Sequence, residues 1–305
     1  MDEGQEPVYA RGLYRSLRDD AAGQDAYASV VAPWLRRAQD GYRAALSRAA
    51  SRLCREPFDG PDTERQDLSW ELYALSRVSD VLLLALQPPL QPAPGGIGGV
   101  PVAHELHPPE QWPEVGTAQY LELFTGLGME PFTGTGAFDP FLHEIVEVEQ
   151  AQDPDEPVTV TELLWPGLWL GPLLFSRAGV RVRAGIRHAE RGVADRFPLY
   201  WTFLRRNRPT VDLSLGWGHN SQWRTDFRVD CRTGAGARRV NAGVDEDIDS
   251  DEAVGEPGTL LTPEERRELV RNRCLLRTPS NAAALAGTSH WEREIFPFDW
   301  RLPEG

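Results

Sequence analysis

Residues 126–182 read GLGMEPFTGTGAFDPFLHEIVEVEQAQDPDEPVTVTELLWPGLWLGPLLFSRAGVRV. Two kinds of order meet in this stretch. Around Phe138-Asp139-Pro140 the chain must turn, because Pro140 fixes its own φ near −65° and Asp139 can cap the backbone that follows. Leu142, Ile145, Val146 and Val148 then supply apolar positions that can pack inward behind His143 and Glu144. After Val158 the apolar period shortens towards two, which predicts short strands over residues 160–164, 173–175 and 180–186. Their punctuation is Pro157, Pro166-Gly167 and Gly171-Pro172, with Gly167 read as a turn glycine. In the last strand Val180, Val182, Ala184 and Ile186 alternate with Arg181, Arg183 and Arg187, so one face is apolar and the other carries arginine.

These words, in this order, resemble the carboxy-terminal half of the GrpE family, the nucleotide exchange factors of DnaK-type chaperones. That family reads F-D-P-N-L-H-E-A-V, then an acidic loop, then G-T-V-V-E-V-L-Q-K-G-Y-x-L-x-x-R-V-L-R-P-A-x-V-x-V. Phe138, Asp139, Pro140, Leu142, His143 and Glu144 match the first block. Thr159, Val160, Glu162, Leu164, Gly167, Leu170, Ala178, Val180 and Val182 match the second. The chain departs from the pattern at Trp165-Pro166-Gly167-Leu168, which replaces Gln-Lys-Gly-Tyr, at Leu173, which replaces an arginine, and at Phe175-Ser176-Arg177, which replaces Leu-Arg-Pro. The resemblance spans residues 117–185 and implies a small β-domain over 128–190. It implies a stress-response co-chaperone that docks on a DnaK-type ATPase as a homodimer, opens the nucleotide cleft, and needs no cofactor, metal or catalytic residue. The contact residues it implies are Phe138, Asp139, His143, Glu144, Trp165, Gly167, Leu168, Trp169, Arg177 and Arg181. The alternative for the first four is that they only shape the fold. Trp165, Leu168 and Trp169 are either an exposed adhesive patch or are covered by the segment beyond 190, and the covered state is the expectation.

Working towards the amino terminus, a short helix is predicted over 117–126, with Leu121 and Phe124 apolar. Residues 87–113, containing PPLQPAPGG, GIGGVP and PPEQWP, form a linker too rich in Pro and Gly for a regular element. A helix is predicted over 63–86 from Leu68, Leu72, Leu75, Val78, Leu82 and Leu86. Another is predicted over 22–53 from Tyr27, Val30, Val31, Trp34, Leu35, Ala38, Tyr42, Leu46, Ala49 and Leu53. Its wide stripe suits a partner helix in cis or across a dimer. Residues 1–14 are acidic, lack periodicity and read as a frayed leader. The helical part as a whole spans 15–127.

Towards the carboxyl terminus, residues 191–305 form an additional α+β extension. Strands are predicted at 210–215, 222–229 and 238–244, and a capped helix at 263–276. Residues 176–240 hold 14 Arg against five acidic residues, in a chain whose formal charge is −14. Arg205, Arg206, Arg208, Arg224 and Arg228 lie among Tyr200, Trp201, Phe203, Trp217, Trp223 and Phe227. Interleaved cations and aromatic faces suit single-stranded nucleic acid. The same arginines can pair with the acidic helical half, and internal docking is the favoured reading because the net charge repels a polyanion.

All 32 basic residues are arginine, and the apolar fraction is 41%. No apolar run reaches the length of a membrane span, and no export signal is evident, so the cytoplasm is the expected address. Cys54, Cys231 and Cys274 are odd in number and widely spaced, which argues for a reducing compartment and against a disulfide scaffold or zinc cluster. Asp245, Asp247, Asp249, Asp251 and Glu256 mimic an EF-hand spacing. Ser250 stands where that loop needs glycine, so a solvated acidic loop is expected. His104 and His107 lack cysteine partners, and His219, Asp226 and Asp230 lack a nucleophile. No phosphate loop or G-x-S-x-G elbow is present. The reading is therefore an α+β protein without enzymatic chemistry. The runner-up keeps the fold as a non-exchanging scaffold whose basic aromatic extension binds nucleic acid or an acidic partner.

Overall fold

The apolar stripe of residues 63–86 folds as a 22-residue helix, Asp62–Leu83, that continues as a 3-10 turn, Leu84–Leu86. This is α4 of a computed structural model that describes residues 9–19, 25–38, 41–54, 61–89, 114–134, 137–139, 141–191, 194–195, 205–206, 231–232, 238–241 and 245–247. Leu72, Leu75, Val78 and Leu82 are buried on it, as their three- and four-residue spacing requires. Against α4 lie α1 (Ala10–Asp19) and α3 (Gly41–Leu53), while α2 (Ala32–Ala38) packs on α5 (Thr117–Gly126). The bounds of α5 are those predicted, and Gln119 Oε1 accepts the Gly116 N–H at 3.0 Å to close its first turn.

The reading of residues 1–14 as a frayed leader needs correction from Ala10 onward. Ala10, Leu13, Tyr14 and Leu17 fall at i, i+3, i+4 and i+7 and are all buried. Glu71 of α4 anchors the start of this helix: its Oε1 accepts the Ala10 N–H at 2.7 Å and also receives the Tyr42 hydroxyl. The long helix predicted over 22–53 begins as a π-helical turn, Tyr27–Val31, before α2 and α3. Trp34 and Leu46 are buried and Tyr42 is partly buried, all within one chain, so this stripe forms a cis interface.

Two sheets follow. The first contains β1 (Glu130–Phe132), β4 (Gly167–Leu170), β5 (Leu173–Ser176), β7 (Cys231–Arg232), β8 (Arg238–Asn241) and β9 (Asp245–Asp247), in the order β1-β4-β5-β7-β8-β9. The second is β2-β6-β3, built from β2 (His143–Gln150), β6 (Ala178–Ala184) and β3 (Thr159–Trp165). In it β2 runs parallel to β6 and β3 antiparallel to β6. The class is α+β. Leu168, Leu170 and Leu173 of the first sheet face the helical core, while Trp169 and Leu174 face away and close over Phe141. The second sheet has its own core of Ile145, Val148, Val180, Val182 and Ala184.

Bulges explain the imperfect alternation of β2 and β3. The register of β2 on β6 passes from Ile145↔Val180 to Glu147↔Arg181, leaving Val146 as the extra residue. Ile145 and Val148 then share the second core while Val146 reaches the helical one. A similar shift between Val160 and Glu162 lets Val160 and Leu163 face inward together.

Gly167 is not a turn residue, as the sequence suggested. It opens β4 opposite Phe132, whose ring would meet a Cβ there at 2.1 Å, so the requirement is close approach. Gly171, at φ 58°, supplies the actual β4–β5 turn. The acidic run at 245 is likewise not wholly a loop, because Asp245–Asp247 pairs with Arg238–Asn241. The predicted strands at 210–215 and 222–229, the helix at 263–276 and most of the linker at 87–113 lie outside the described residues.

The expectation against a disulfide is overturned. Cys54 and Cys231 are bonded, with Cα atoms 5.9 Å apart across a sequence separation of 177. Separation along the chain misled here. The end of α3 lies beneath the first sheet, and β7 extends that sheet from β5, so the fold brings together what the sequence keeps apart.

Candidate functional site

The Phe138-Asp139 corner closes on itself through His143. The Asp139 N–H donates to His143 Nδ1 at 2.9 Å, so that nitrogen carries a lone pair and Nε2 carries the proton. Nε2 then donates to the Gly134 carbonyl at 3.0 Å. Asp139 Oδ1 accepts the Phe141 N–H at 2.9 Å, and the Phe138 ring stacks on the imidazole. Burial pushes the His143 pKa below its ordinary value, an effect only partly opposed by the Gly134 and Asp139 bonds. Gly134, at φ 58°, is required twice over, because a Cβ there would lie 2.1 Å from His143 Nε2. Held at both ring nitrogens by backbone partners, His143 organises the corner.

Glu144, the next residue, belongs to a buried junction of three parts of the chain. Arg205 donates from Nε to Glu144 Oε1 at 2.7 Å and from Nη2 to Oε2 at 3.1 Å. Its Nη1 donates to Asp80 Oδ1 of α4 at 2.7 Å. Its guanidinium carbon lies 5.3 Å from the centre of the Trp165 ring. Side-chain exposures of 1%, 2% and 8% for Arg205, Glu144 and Asp80 put the group in the interior. Burial opposes the charge of Arg205, but the carboxylates of Glu144 and Asp80 outweigh it and hold the guanidinium above the ordinary arginine range. The planar fork of arginine suits this role, one edge taking a bidentate carboxylate and the remaining nitrogen a second.

The arginine-bearing face of β6 is laced to its neighbours. Arg181 bridges Glu147 of β2, at 2.9 Å, and Glu162 of β3. Arg183 joins Glu149 at 2.6 Å and Glu156 at 2.8 Å, and Arg187 grips Asp155 at 2.7 Å. These pairs are partly or wholly exposed and fix register more than they add stability.

The predicted contact residues separate accordingly. His143, Glu144, Trp165, Gly167, Leu168, Trp169 and Arg177 are buried in this chain, whereas Phe138, Asp139 and Arg181 keep part of their surface. The buried set answers to the fold: Trp165 Nε1–H donates to the Arg177 carbonyl at 3.2 Å, and Leu168 belongs to the helical core. As expected, the segment beyond 190 helps cover the tryptophans, Arg205 lying over Trp165 and Arg232 over Trp169 at 4.4 Å. Of the anion-binding candidates, Arg205 is committed to Asp80 and Glu144. Arg206 donates its N–H to Gln87 Oε1 at 2.6 Å and its Nη1 to the Gln87 carbonyl at 3.3 Å. Arg208, Arg224 and Arg228 lie outside the described residues.

Sequence reasoning missed Asp80, Gly134, Arg232 and the Cys54–Cys231 bond. Asp80 did carry a signal, as a carboxylate set among the apolar residues Val78, Val81, Leu82 and Leu83. Among the described residues no group of side chains is arranged to hold a metal ion, and no helix is long and apolar enough to cross a membrane. Comparison of the chain with protein-family models, curated proteins and solved structures returns no match.

Proposed function

We propose that this chain is a non-enzymatic, GrpE-like docking protein that binds a DnaK-type ATPase and favours the open form of its nucleotide cleft. The observation that carries the proposal is the convergence of two motif blocks. The FDPxLHE corner leads into β2, and the Ala178-x-Val180-x-Val182 block forms β6, its parallel neighbour with His143 opposite Ala178. The residues quoted for the resemblance that lie in β2, β3 and β6 thus share the second sheet, whereas Gly167 and Leu170 stand in β4 of the first. Docking would fall to surface that remains available, namely Arg181 and the exposed Thr159, Thr161 and Glu162 of β3. Binding through that face requires no catalytic group and acts by stabilising one state of the partner over another.

Burial of Trp165, Leu168 and Trp169 favours a second reading in which the β-unit is a scaffold and nucleotide exchange is absent. Linkage separates the two. A factor that lowers ADP affinity must itself bind the ADP-loaded ATPase more weakly, by the same factor, than the nucleotide-free one. Titration of this chain against both forms of a DnaK-type ATPase from the same cell tests the proposal. A tenfold or larger preference for the nucleotide-free form supports exchange. Equal affinities leave the scaffold, and no binding to either form removes the proposal.

A further inference from the structure

The first sheet is continued by a ribbon, β7-β8-β9, whose attachment to the rest of the protein is narrow among the described residues. Among the described residues the paired register on the β5 side is Leu173↔Cys231, supplemented by the Arg232 N–H donating to the Pro172 carbonyl at 2.9 Å. The Arg232 side chain adds a bond to the Gly171 carbonyl at 3.1 Å, a long contact with the exposed Glu130, and the stacking on Trp169. The covalent link is Cys54–Cys231, which ties β7 to the last turn of α3. Its two residues differ in setting: Cys231 is buried, whereas Cys54 is only partly so.

We propose that Cys54–Cys231 is a redox clasp that fastens the ribbon to the β5 edge and is opened by a dithiol reductant. A reductant thiolate attacks Cys54, the less buried residue, forming a mixed disulfide as the Cys54–Cys231 bond breaks. Cys231 leaves as a thiolate and takes a proton. The second thiol of the reductant then attacks the mixed disulfide, releasing Cys54 as a thiol and leaving the reductant oxidised by two electrons. With the clasp open, the contacts that hold β7 to β5 among the described residues are one register pair, the Arg232 N–H bond to the Pro172 carbonyl and the contacts of a half-exposed arginine side chain. The edge of Leu173–Ser176 and the face of Trp169 are then freed. This inference is independent of the proposed function.

The test uses the full chain carrying Cys274→Ser, so that Cys54 and Cys231 are the cysteines present. Alkylation in denaturant, read by mass, should add no label to the air-oxidised protein and two labels after treatment with dithiothreitol. Hydrogen exchange of native protein, before and after reduction, should accelerate at least tenfold in peptides carrying Leu173–Ser176 and Arg232. Peptides from Asp62–Leu83 should keep their protection, which separates clasp opening from global unfolding. Cys54→Ser should exchange like the reduced protein in the same peptides. Two labels on the oxidised protein, or unchanged exchange at Leu173–Ser176 and Arg232 on reduction, would overturn the proposal. Loss of protection throughout Asp62–Leu83 on reduction would overturn it too, because the bond would then hold the whole fold rather than the ribbon.

Discussion

Replacing Arg205 with alanine should destabilise the protein by about 3–5 kcal/mol, the cost observed when one partner of a buried ion pair is removed. The figure follows from what remains. Glu144 and Asp80 would lose their shared counter-charge while their side chains stay 2% and 8% exposed, too enclosed for water to replace a guanidinium. Trp165 would also lose the cation lying 5.3 Å from its ring. Such a loss is a large fraction of the ~5–15 kcal/mol that holds a typical protein folded. With a urea m-value of about 3 kcal/mol/M, the midpoint should fall by about 1 M or more. Equilibrium unfolding followed by tryptophan fluorescence and far-UV circular dichroism provides the measurement. A cycle with Asp80→Ala should show that the two substitutions are not additive, because they remove the same contact. A midpoint within about 0.2 M of the parent, corresponding to well under 1 kcal/mol, would refute the buried junction.

Further outcomes follow from the same contacts. The His143 pKa is depressed in the folded state, so the unfolded chain binds the proton more tightly. Its contribution to stability is therefore complete above the ordinary value of 6.5 and is lost as the pH falls below it. Urea midpoints measured from pH 7.5 to 5 should decline and His143→Gln should flatten that decline; identical slopes would count against the neutral tautomer. Gly134→Ala, which puts a Cβ 2.1 Å from the imidazole at a φ of 58°, should cost about 2 kcal/mol or more, read as a lower melting temperature. Trp165→Ala removes a fully buried indole and should cost about 3–5 kcal/mol in the same assay. Filter binding of single-stranded DNA should be weak at both 50 and 200 mM salt, since Arg205 is committed internally; sub-micromolar binding with a steep salt slope would favour the nucleic-acid reading.

What could be read in advance depended on whether the governing interaction was local. Thr117–Gly126 and Asp62–Leu83 were legible because helix spacing is written in neighbouring residues, and β3, β5 and β6 because alternation is too. The helix Ala10–Asp19 carried the same signal in Ala10, Leu13, Tyr14 and Leu17, but acidic neighbours at the start of the chain masked it. Strand β4 was hidden because Gly167 beside Pro166 looks like a turn until Phe132 arrives across from it. The site was less legible than the fold. His143 and Glu144 stand out in any reading, but their partners Gly134 and Arg205 are chosen by tertiary packing, nine and 61 residues away. The bond from Cys54 to Cys231, across 177 residues, is the extreme case.

The central claim, docking that drives nucleotide exchange, is tested most directly by release of a fluorescent ADP analogue from a DnaK-type ATPase in a stopped-flow instrument. Catalytic amounts of this chain should raise the release rate at least tenfold, saturating with its concentration. Arg181→Glu should weaken that effect without lowering the melting temperature by more than a few degrees. A release rate that stays at its spontaneous value across all concentrations of folded protein, with every DnaK-type ATPase of the same cell, would contradict the account.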